Sequence, residues 1–498
     1  MLLSALLWWP ILGGILVLLM GERSAGRLVA LAVAMAELAM AAVLLMGFEP
    51  TGGGYQFMEH ATWLPVLGAD YVLGVDGLAV AMIFLTSLIT LPAMLCGWDA
   101  ITRRQNQYMA AFLMMAGIMN GVFAALDGLL FYLLWEATLL PMFLIVGIWG
   151  GPRRVYATLK FFLFTFLGSV LMLVAVVYLR LQAGSFDLMA WQEVTLGRSE
   201  QIWIFLAFLA AFAVKIPMIP VHTWLPDAHV EAPTGGSVIL AAIMLKLGGY
   251  GLVRWALPVA PAGAAAMAEV VIVLSLLAIV YVGFVALMQL DMKKLVAYSS
   301  IAHMGFVTLG LFLPFVLSRG ADPLAQSTVA VQGALVQMIS HGFVSAALFL
   351  CVGVLYDRLH TREIAAYRGV ANSMPVFGAL FVFFAMANCG LPGTSGFVGE
   401  LMVILGAMGS NTGIAALAAL TLILGASYSL WLVKRVVFGA LPAGHPVVGL
   451  ADINRREAAL LGIMGAAVLL VGLWPQPLIH LMSGTAEQLV MTAKMVRG

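Results

Sequence analysis

The stretch AVKIPMIPVHTWLPDAH, residues 213–229, follows an apolar run long enough to enter a lipid bilayer, yet it is not apolar itself. It carries Lys215, the prolines Pro217, Pro220 and Pro226, two histidines and an aspartate. Because proline removes a backbone donor and clashes with the preceding turn, we expect the helix to unwind here. Lipid cannot satisfy the freed backbone groups, so such a break survives only inside protein or beside a wet cavity. The stretch therefore predicts a broken membrane helix next to a buried lysine.

The composition of the whole chain is that of a membrane protein. Of its 498 residues, 63% are hydrophobic and 9% are charged, against about 25% charged in a soluble domain, and the mean hydropathy is +1.06. Apolar stretches of roughly 20 residues recur along the chain, and each can cross a bilayer core of about 30 Å. Barrel strands need only about ten residues, so we expect an all-α integral membrane protein. No basic stretch precedes the first apolar run, so no cleavable signal is expected.

Hydropathy predicts about fourteen transmembrane spans. They are 2–21, 28–47, 76–97, 108–126, 128–149, 156–182, 202–226, 232–257, 268–290, 294–317, 328–356, 374–409, 412–438 and 456–475. Apart from Lys215 and Lys246, the lysines and arginines lie in loops or near span ends and divide 16 to 6 between the two faces. The richer face, which includes Lys293, is predicted to be inside. This places both termini on the outer side. The six on the outer face are Arg180, Arg198, Arg254, Arg319, Lys494 and Arg497.

A second break, NCGLPGTSGFVGE at 388–400, interrupts the span predicted at 374–409. If spans four to eight form one unit and spans nine to thirteen another, the broken helix is the fourth member of each. Five is an odd number, so the second unit would be inverted, as in the repeats of secondary transporters. Proline kinks are ordinary in membrane helices, however, and the halves share no clear residue-level similarity. The predicted segments are an N-terminal three-helix segment 1–107, a first five-helix repeat 108–257, an inverted second repeat 268–438, and a last helix with its tail 439–498.

Ionisable side chains inside the predicted spans are concentrated in these two units. A charge in lipid costs at least about 2.5–3.5 kcal/mol, so each one needs a reason. A carboxylate close to a buried lysine favours the charged lysine, and histidine can pass protons in both directions. Motion of Glu136 relative to Lys215 would thus switch Lys215 between holding and releasing a proton. The residues within the two units are Glu136, Lys215, Lys246, His303, His341 and Glu400.

Each of these side chains also has a structural interpretation. Glu136 and Lys215 could simply tie two helices together, and a lone histidine in a helix is often a hydrogen-bonded packing residue. Glu37, in the second span and outside both units, could snorkel or face a neighbouring subunit. The distribution of the set over the two units favours a transport path.

The sequence contains no motif for a redox or nucleotide-driven reaction. Cys96, Cys351 and Cys389 form no paired motif, so a disulfide, a zinc site or an iron–sulfur cluster is not expected. There is no glycine-rich nucleotide fingerprint and no phosphate loop. No nucleic-acid partner and no metal site are expected.

Four motifs closely resemble the antiporter-like membrane subunits of respiratory complex I, the proton-pumping NADH:quinone oxidoreductase. They are WEATLLPMFLIVGIWGGPRR at 135–154, KIPMIPVHTWLPDAHVEAPTGGSVILAAIMLKLGGYG at 215–251, DMKKLVAYSSIAHMGF at 291–306 and GLPGTSGFVGE at 390–400. Among the three such subunits the chain is most similar to the M-type (mitochondrial subunit 4), because the L- and N-types are expected to have lysine at the position of Glu400. The chain also ends soon after the last span, without the long lateral helix of the L-type.

The resemblance implies roles for residues of the first repeat. Glu136 matches the glutamate that pairs with the lysine of the first broken helix, Lys215. His222 and His229 match the histidines of the broken-helix loop, and Lys246 matches the central lysine. A signal from quinone reduction would change the Glu136–Lys215 distance, and Lys215 would then pass its proton towards Lys246 through His222 and water.

In the second repeat, His303 and His341 fit the connecting axis and Glu400 matches the terminal acidic residue. The proton would leave towards the outer side, a direction that the resemblance implies. Cys389 stands where a small or apolar residue is expected, a mild departure.

The resemblance also implies a setting. The chain would be a translocase subunit without a redox centre in a bacterial inner membrane, with FMN, iron–sulfur clusters and quinone bound by partner subunits. Two further antiporter-like subunits would flank it. Two alternatives stay open: a subunit of a stand-alone Mrp-type sodium/proton antiporter, which shares the fold, and a purely structural or quinone-lining subunit.

Overall fold

The computed structural model describes residues 1–52, 54–316, 323–409, 411–441 and 444–497, and these residues are overwhelmingly helical. The α-helices are α1 (Leu2–Leu19), α2 (Ala25–Gly47), α3 (Gly77–Leu95), α4 (Gln105–Ala124), α5 (Gly128–Ala137), α6 (Leu139–Trp149), α7 (Arg154–Ala183), α8 (Leu188–Glu193), α9 (Arg198–Lys215), α10 (Trp224–Glu231), α11 (Thr234–Ile239), α12 (Leu245–Gly251), α13 (Leu257–Val259), α14 (Pro261–Leu287), α15 (Met292–Phe312), α16 (Pro323–Leu359), α17 (Pro375–Asn388), α18 (Ser395–Met408), α19 (Thr412–Val436), α20 (Arg455–Leu473), α21 (Gln476–Leu481) and α22 (Ser483–Arg497). The prediction of a helical, multi-span membrane chain is confirmed.

The described residues contain 12 helices long and apolar enough to cross a membrane, or up to 13 if one bent pair of helices counts as a single span. The two predicted spans absent from the 12 are 202–226 and 374–409, which are the two broken helices. The break explains their absence. It leaves α9 with three charged residues among 18, and it leaves α17 and α18 with 14 residues each.

The first break lies between α9 and α10. The α9 helix ends at Lys215, and the chain is non-helical until α10 begins at Trp224. Pro217 and Pro220 lie in the break, and both follow cis peptide bonds. Pro226 does not lie there, contrary to the prediction: it occupies the first turn of α10, where proline is tolerated because the missing N–H would be unpaired anyway.

The second break lies between α17, which ends at Asn388, and α18, which begins at Ser395. Gly390 and Gly393 have φ angles of +75° and +89° there, a left-handed conformation that glycine adopts without steric cost. The backbone N–H of Leu391 donates to Met386 O at 3.0 Å, so part of the interrupted helix remains satisfied. Both breaks therefore carry the backbone disruption that the proline and glycine residues predict.

The eighth predicted span is a continuous helix that changes its winding twice. Between α11 and α12 lies a π-helical stretch, Leu240–Met244, and between α12 and α13 lies another, Leu252–Ala256. π-helical turns are rare and often mark functional sites. The whole span is buried inside the chain, as is α16, whereas α7 and α20 expose large apolar side chains along their length. The core of the molecule therefore lies around these two buried helices and α15.

Several elements were not predicted. Strands β1 (Gln56–Leu64) and β2 (Ala69–Val75) form an antiparallel hairpin before α3. The predicted span 128–149 is divided at Thr138 into α5 and α6. After α20 the chain continues through α21 into α22, where Thr485 Oγ1 donates to Asp76 Oδ2 at 2.6 Å.

Two residues counted as loop charges are buried instead. Arg254 lies in the second π-helical stretch and forms an ion pair with Asp76, which also caps the N-terminus of α3. Lys293 lies in the first turn of α15 with its side chain turned inward. Arg319, also counted on the outer face, lies outside the described residues.

Candidate functional site

The centre of the site is a contact between Lys246 in α12 and His341 in α16. Lys246 Nζ lies 2.6 Å from His341 Nδ1 and donates to the carbonyl oxygen of Ala241 at 2.5 Å. Both side chains are buried, and Lys246 is 0% exposed. Within the described part of the chain Lys246 forms no ion pair. Because the ammonium group has only donors, His341 Nδ1 must accept when Lys246 is charged, and a proton can then move between the two nitrogens.

The second half of the site joins residues from four helices. His303 Nδ1 in α15 lies 2.6 Å from Glu400 Oε1, at the start of α18. The same carboxylate oxygen accepts from Gln337 Nε2 of α16 at 3.1 Å. The hydroxyl of Tyr428 in α19 lies 3.3 Å from His303 Nε2. These contacts hold His303 on both of its nitrogens, so its ring is fixed against Glu400.

His303 and His341 connect the two clusters. Their ring centroids are 5.7 Å apart and the planes are inclined by 44°. No hydrogen bond joins the two rings in the described structure. Transfer between them therefore requires a bridging water or a ring rotation.

The first half of the site centres on Lys215 at the end of α9. Its Nζ donates to Thr138 Oγ1 at 2.7 Å and lies 4.2 Å from the centroid of the Trp135 ring. Glu136 does not pair with it directly: among the described residues Glu136 forms no ion pair, and its Oε1 is buried without a hydrogen-bond partner. Glu136 and Lys215 therefore do not form the predicted direct pair in this structure, and the hydroxyl of Thr138 accepts a hydrogen bond from the lysine instead.

The two histidines of the broken-helix region differ in burial. His222 lies half-buried in the break, and its Nδ1 has no hydrogen-bond partner in the described chain. His229 lies in α10, fully buried, with its ring stacked on Phe349 at a centroid distance of 4.4 Å. Neither ring nitrogen of His229 contacts a donor or acceptor among the residues described. Buried polar atoms are nearly always paired, so His229 is an exception that needs an explanation.

Three residues that contact this set, and a fourth buried residue that does not, were missed from the sequence. Thr138 follows Glu136 by two positions, a proximity that could have indicated it. Gln337 is uncharged and Tyr428 is charged only at high pH, so a search for ionisable side chains near neutral pH inside the spans does not find them. Lys293 stands beside Lys294 at a helix start, where a lysine normally reaches solvent; instead its Nζ donates to Ala232 O at 2.7 Å.

Glu37 neither snorkels nor faces a neighbouring subunit. It is completely buried between α2, α3 and α4. Its Oε1 accepts from Asn120 Nδ2 at 2.8 Å and from Ser87 Oγ at 3.2 Å. Both alternatives expected from the sequence are therefore wrong.

No group of three or more His, Cys, Asp or Glu residues in the described chain is arranged to hold a metal ion. The three cysteines are free, and Cys389 lies in the second break, immediately after α17.

Known proteins resemble the chain over its full length. The family model for the membrane-spanning part of NADH:quinone oxidoreductase and Mrp antiporters matches residues 125–425. The NADH-quinone oxidoreductase subunit M of Rhodobacter capsulatus is 49% identical over 484 residues, covering 94% of this chain and 91% of the relative.

Solved structures of related complexes contain chains with the same fold. A chain of respiratory complex I from Thermus thermophilus with bound NADH superposes with a TM-score of 0.88 at 32% identity, and all of both chains is covered. A chain of the Mrp complex from Dietzia has a TM-score of 0.81 but 21% identity, covering 100% of this chain and 55% of that one, so it is similar in fold. The chain therefore belongs to the M-type family of antiporter-like membrane subunits of NADH:quinone oxidoreductase, respiratory complex I.

Proposed function

We propose that this complex I subunit translocates protons along a line of buried side chains. The line runs from Glu136 and Lys215 through Lys246 to the outlet at Glu400, with His341 and His303 between. The single observation that carries the proposal is the 2.6 Å contact between Lys246 Nζ and His341 Nδ1 in a fully buried setting. Burying a charged lysine without a carboxylate partner has a large free-energy cost. Packing of the side chain alone does not offset that cost.

The entrance step depends on the distance between Glu136 and Lys215. In the arrangement described, Thr138 and Trp135 hold Lys215 while Glu136 keeps an unpaired oxygen. Approach of Glu136 would favour the charged lysine, and its withdrawal would favour release of the proton. His222, which lies in the break that follows Lys215, would then relay the proton with water towards the centre of the site.

The central and outlet steps follow from the contacts already described. A proton arriving at Lys246 passes to His341, whose Nδ1 accepts it. His303 receives it next through a bridging water or after a ring rotation, and delivers it to Glu400, to which it is hydrogen-bonded at 2.6 Å. Glu400 lies in the second turn of the helix that follows the second break, and such a break survives only inside protein or beside a wet cavity, which supports placing the outlet there.

We propose an architecture of fourteen spans, counting each broken helix as one span. Spans four to eight, residues 108–257, form the first repeat, and residues 268–438 form the inverted second repeat. Segments 1–107 and 439–498 flank them. The recurrence of a broken helix at the fourth position of each unit supports the inversion, and the excess of basic residues on one face supports placing both termini outside.

The remaining parts of the reaction belong to partner subunits. FMN, iron–sulfur clusters and quinone would be bound there, and two further antiporter-like subunits would flank this one in a bacterial inner membrane. Electron transfer would drive protons from the inner to the outer side. Resemblance to a chain of the Thermus thermophilus complex, which is described as binding NADH, supports this setting.

The two alternatives are weighed by identity and by mutation. An identity of 49% to a subunit M against 21% to the Mrp chain favours complex I over a stand-alone antiporter. A structural subunit is tested with Glu136→Gln and Lys215→Ala in the complete complex. We expect both to translocate fewer protons for each NADH oxidised while the complex stays assembled. Unchanged translocation in both variants would overturn the proposal.

A further inference from the structure

Lys293 is a buried cation that the line described above does not use. It is the second residue of α15 and 4% exposed. Its Nζ donates to Ala232 O at 2.7 Å and to Ser237 Oγ at 3.2 Å. A positive charge at a helix N-terminus opposes the helix dipole, and burial adds a desolvation cost. The position is therefore unfavourable for a lysine that only packs.

Lys293 borders a cavity on the face that is richer in lysine and arginine and is predicted to be inside. The cavity measures about 130 Å³ and is also lined by Trp149, Glu231, Tyr356 and Arg362. A water needs roughly 10–15 Å³ of such space. A larger cavity of about 660 Å³ shares Trp149, Pro233, Thr234 and Tyr356 with it and extends to Asp99, whose side chain is 73% exposed. Solvent can therefore reach Lys293 from that face.

Towards the interior of the chain, Ser237 connects Lys293 to the backbone of His229. Ser237, which accepts from Lys293, donates its hydroxyl to the carbonyl oxygen of His229 at 3.1 Å. The imidazole is fully buried, and both ring nitrogens lack partners in the described chain. The charges close enough to act on it are Lys293 and Lys246, and those acting on His341 include Lys246 and His229. His229 is therefore a neighbour of both Lys293 and the central pair.

We propose that Lys293 is a second proton-entry residue, which feeds the central Lys246–His341 pair through His229 without passing Glu136 or Lys215. A proton from the solvent, relayed by water in the cavity, protonates neutral Lys293. The ammonium group then transfers its proton to a free ring nitrogen of His229, which becomes imidazolium while Lys293 returns to its neutral form. The imidazolium gives a proton to neutral Lys246 and is neutral again. This inference rests on the proposed function of Lys246.

The charged groups that face Lys293 leave its charge uncompensated by a direct pair. Glu231 of α10 accepts from the backbone N–H of Arg153 at 2.8 Å. Asp291, which caps α15, pairs with Arg362 at 3.3 Å. Cys96, at the end of α3, is the remaining titratable neighbour. In the described structure Lys293 forms no ion pair, so a carbonyl and a hydroxyl alone hold its ammonium group.

A structural role must be separated from a proton-carrying one. As a donor to Ala232 O, Lys293 could simply cap the C-terminal end of α10. Arginine keeps the charge and the donors but does not release a proton, and glutamine keeps a donor without charge. Histidine can also take up and release a proton, but its ordinary pKa is about 6.5, against about 10.4 for lysine. The three substitutions therefore distinguish a lysine that only caps α10 from a lysine that carries a proton.

The test measures NADH-driven proton translocation by the complete complex in membrane vesicles. We expect Lys293→Gln and Lys293→Arg to lower translocation but to keep the part that enters through Glu136 and Lys215, so that they lose less than Lys246→Ala, and Lys293→His to lose less still, with a pH profile moved to lower pH. Lys294→Gln, one position along the same helix, is the matched control and should pump normally. If either substitution prevents assembly, the profile of Lys293→His decides, and an unchanged profile overturns the inference.

The outcomes separate this inference from the function on which it rests. Normal translocation by Lys246→Ala would overturn the proposed function itself. Loss in Lys246→Ala together with normal translocation in both Lys293→Gln and Lys293→Arg would overturn the entry role alone. His229→Leu, which removes the ring nitrogens, should lose translocation as Lys293→Gln does, and normal translocation there would contradict the route through His229.

Discussion

Lys246 Nζ and His341 Nδ1 lie 2.6 Å apart although the two residues are separated by 95 positions and stand on different helices. Neither side chain reaches solvent, and the lysine meets no carboxylate within the described residues. A cation in this setting depends on its histidine partner and on nearby charges for its stability. The pair is therefore suited to hold a proton transiently, and the contacts on either side of it can be tested one by one.

Thr138 should matter for the entrance step, because it holds Lys215 at 2.7 Å in place of Glu136. Thr138→Val keeps the shape of the side chain but removes the hydroxyl. Hydrogen bonds to charged groups contribute about 1.5–3 kcal/mol, so we expect proton translocation to slow at least about tenfold. Thr138→Ser, which keeps the hydroxyl, is the control. Equal rates in the two variants would show that the hydroxyl has no part in the step.

At the outlet, two substitutions should differ in how strongly they reduce proton translocation. Glu400→Gln removes the carboxylate that His303 contacts at 2.6 Å and should abolish translocation. Tyr428→Phe removes a longer contact of 3.3 Å to the other ring nitrogen. A neutral hydrogen bond contributes about 1 kcal/mol, so the rate should fall by no more than about fivefold. A Tyr428→Phe variant as inactive as Glu400→Gln would give the tyrosine a role that its geometry does not predict.

The buried ion pair between Arg254 and Asp76 should govern stability. Asp76→Ala leaves the guanidinium buried and unpaired and also removes the cap of α3 and the partner of Thr485. Breaking a buried pair costs about 3–5 kcal/mol. We therefore expect thermal denaturation at a clearly lower temperature and less assembled complex. Arg254→Met leaves Asp76 with its cap and Thr485, so it should be the milder change, and the reverse order would contradict this assignment.

Close packing beside Lys215 predicts sensitivity at Gly248. A Cβ there would lie 2.7 Å from Phe212 O and 2.9 Å from Ile216 N, both backbone atoms of the first broken helix. Gly248→Ala must therefore push α12 and α9 apart, and we expect less assembled complex and slower translocation. Gly462→Ala in α20 is the matched control, because a Cβ there meets nothing within 4 Å. Similar behaviour of the two variants would show that this packing is not tight.

The helices and both breaks could be predicted because their signals are local. Each span is one apolar run, and Pro217, Pro220 and the glycines of the second break lie where the helix stops. The hairpin and α22 could not be predicted in the same way. The sequence of α22 is too polar to read as a span, and it docks against Asp76, 409 positions away from Thr485. Its position follows from tertiary contacts that no window of sequence contains.

The site was predictable as a set of residues but not as a set of contacts. Hydropathy indicates which charges lie inside spans, so Glu136, Lys215 and Lys246 could be named. It does not give side-chain direction near helix ends, which is why Lys293 was taken for a surface charge. The choice of Thr138 over Glu136 as the partner of Lys215 likewise depends on packing of α5 against α9.

The most direct test of the central claim is the number of protons translocated per NADH by the complete complex carrying Lys246→Arg or Lys246→Ala in sealed vesicles. Arginine keeps a charge at this position but does not release a proton, so both variants should lower the proton-to-NADH ratio, while the amount of intact complex on a native gel shows that the membrane subunits are assembled. Lys294→Ala serves as the control and should match the unaltered complex. An unaltered proton-to-NADH ratio in the Lys246→Ala complex would contradict the account.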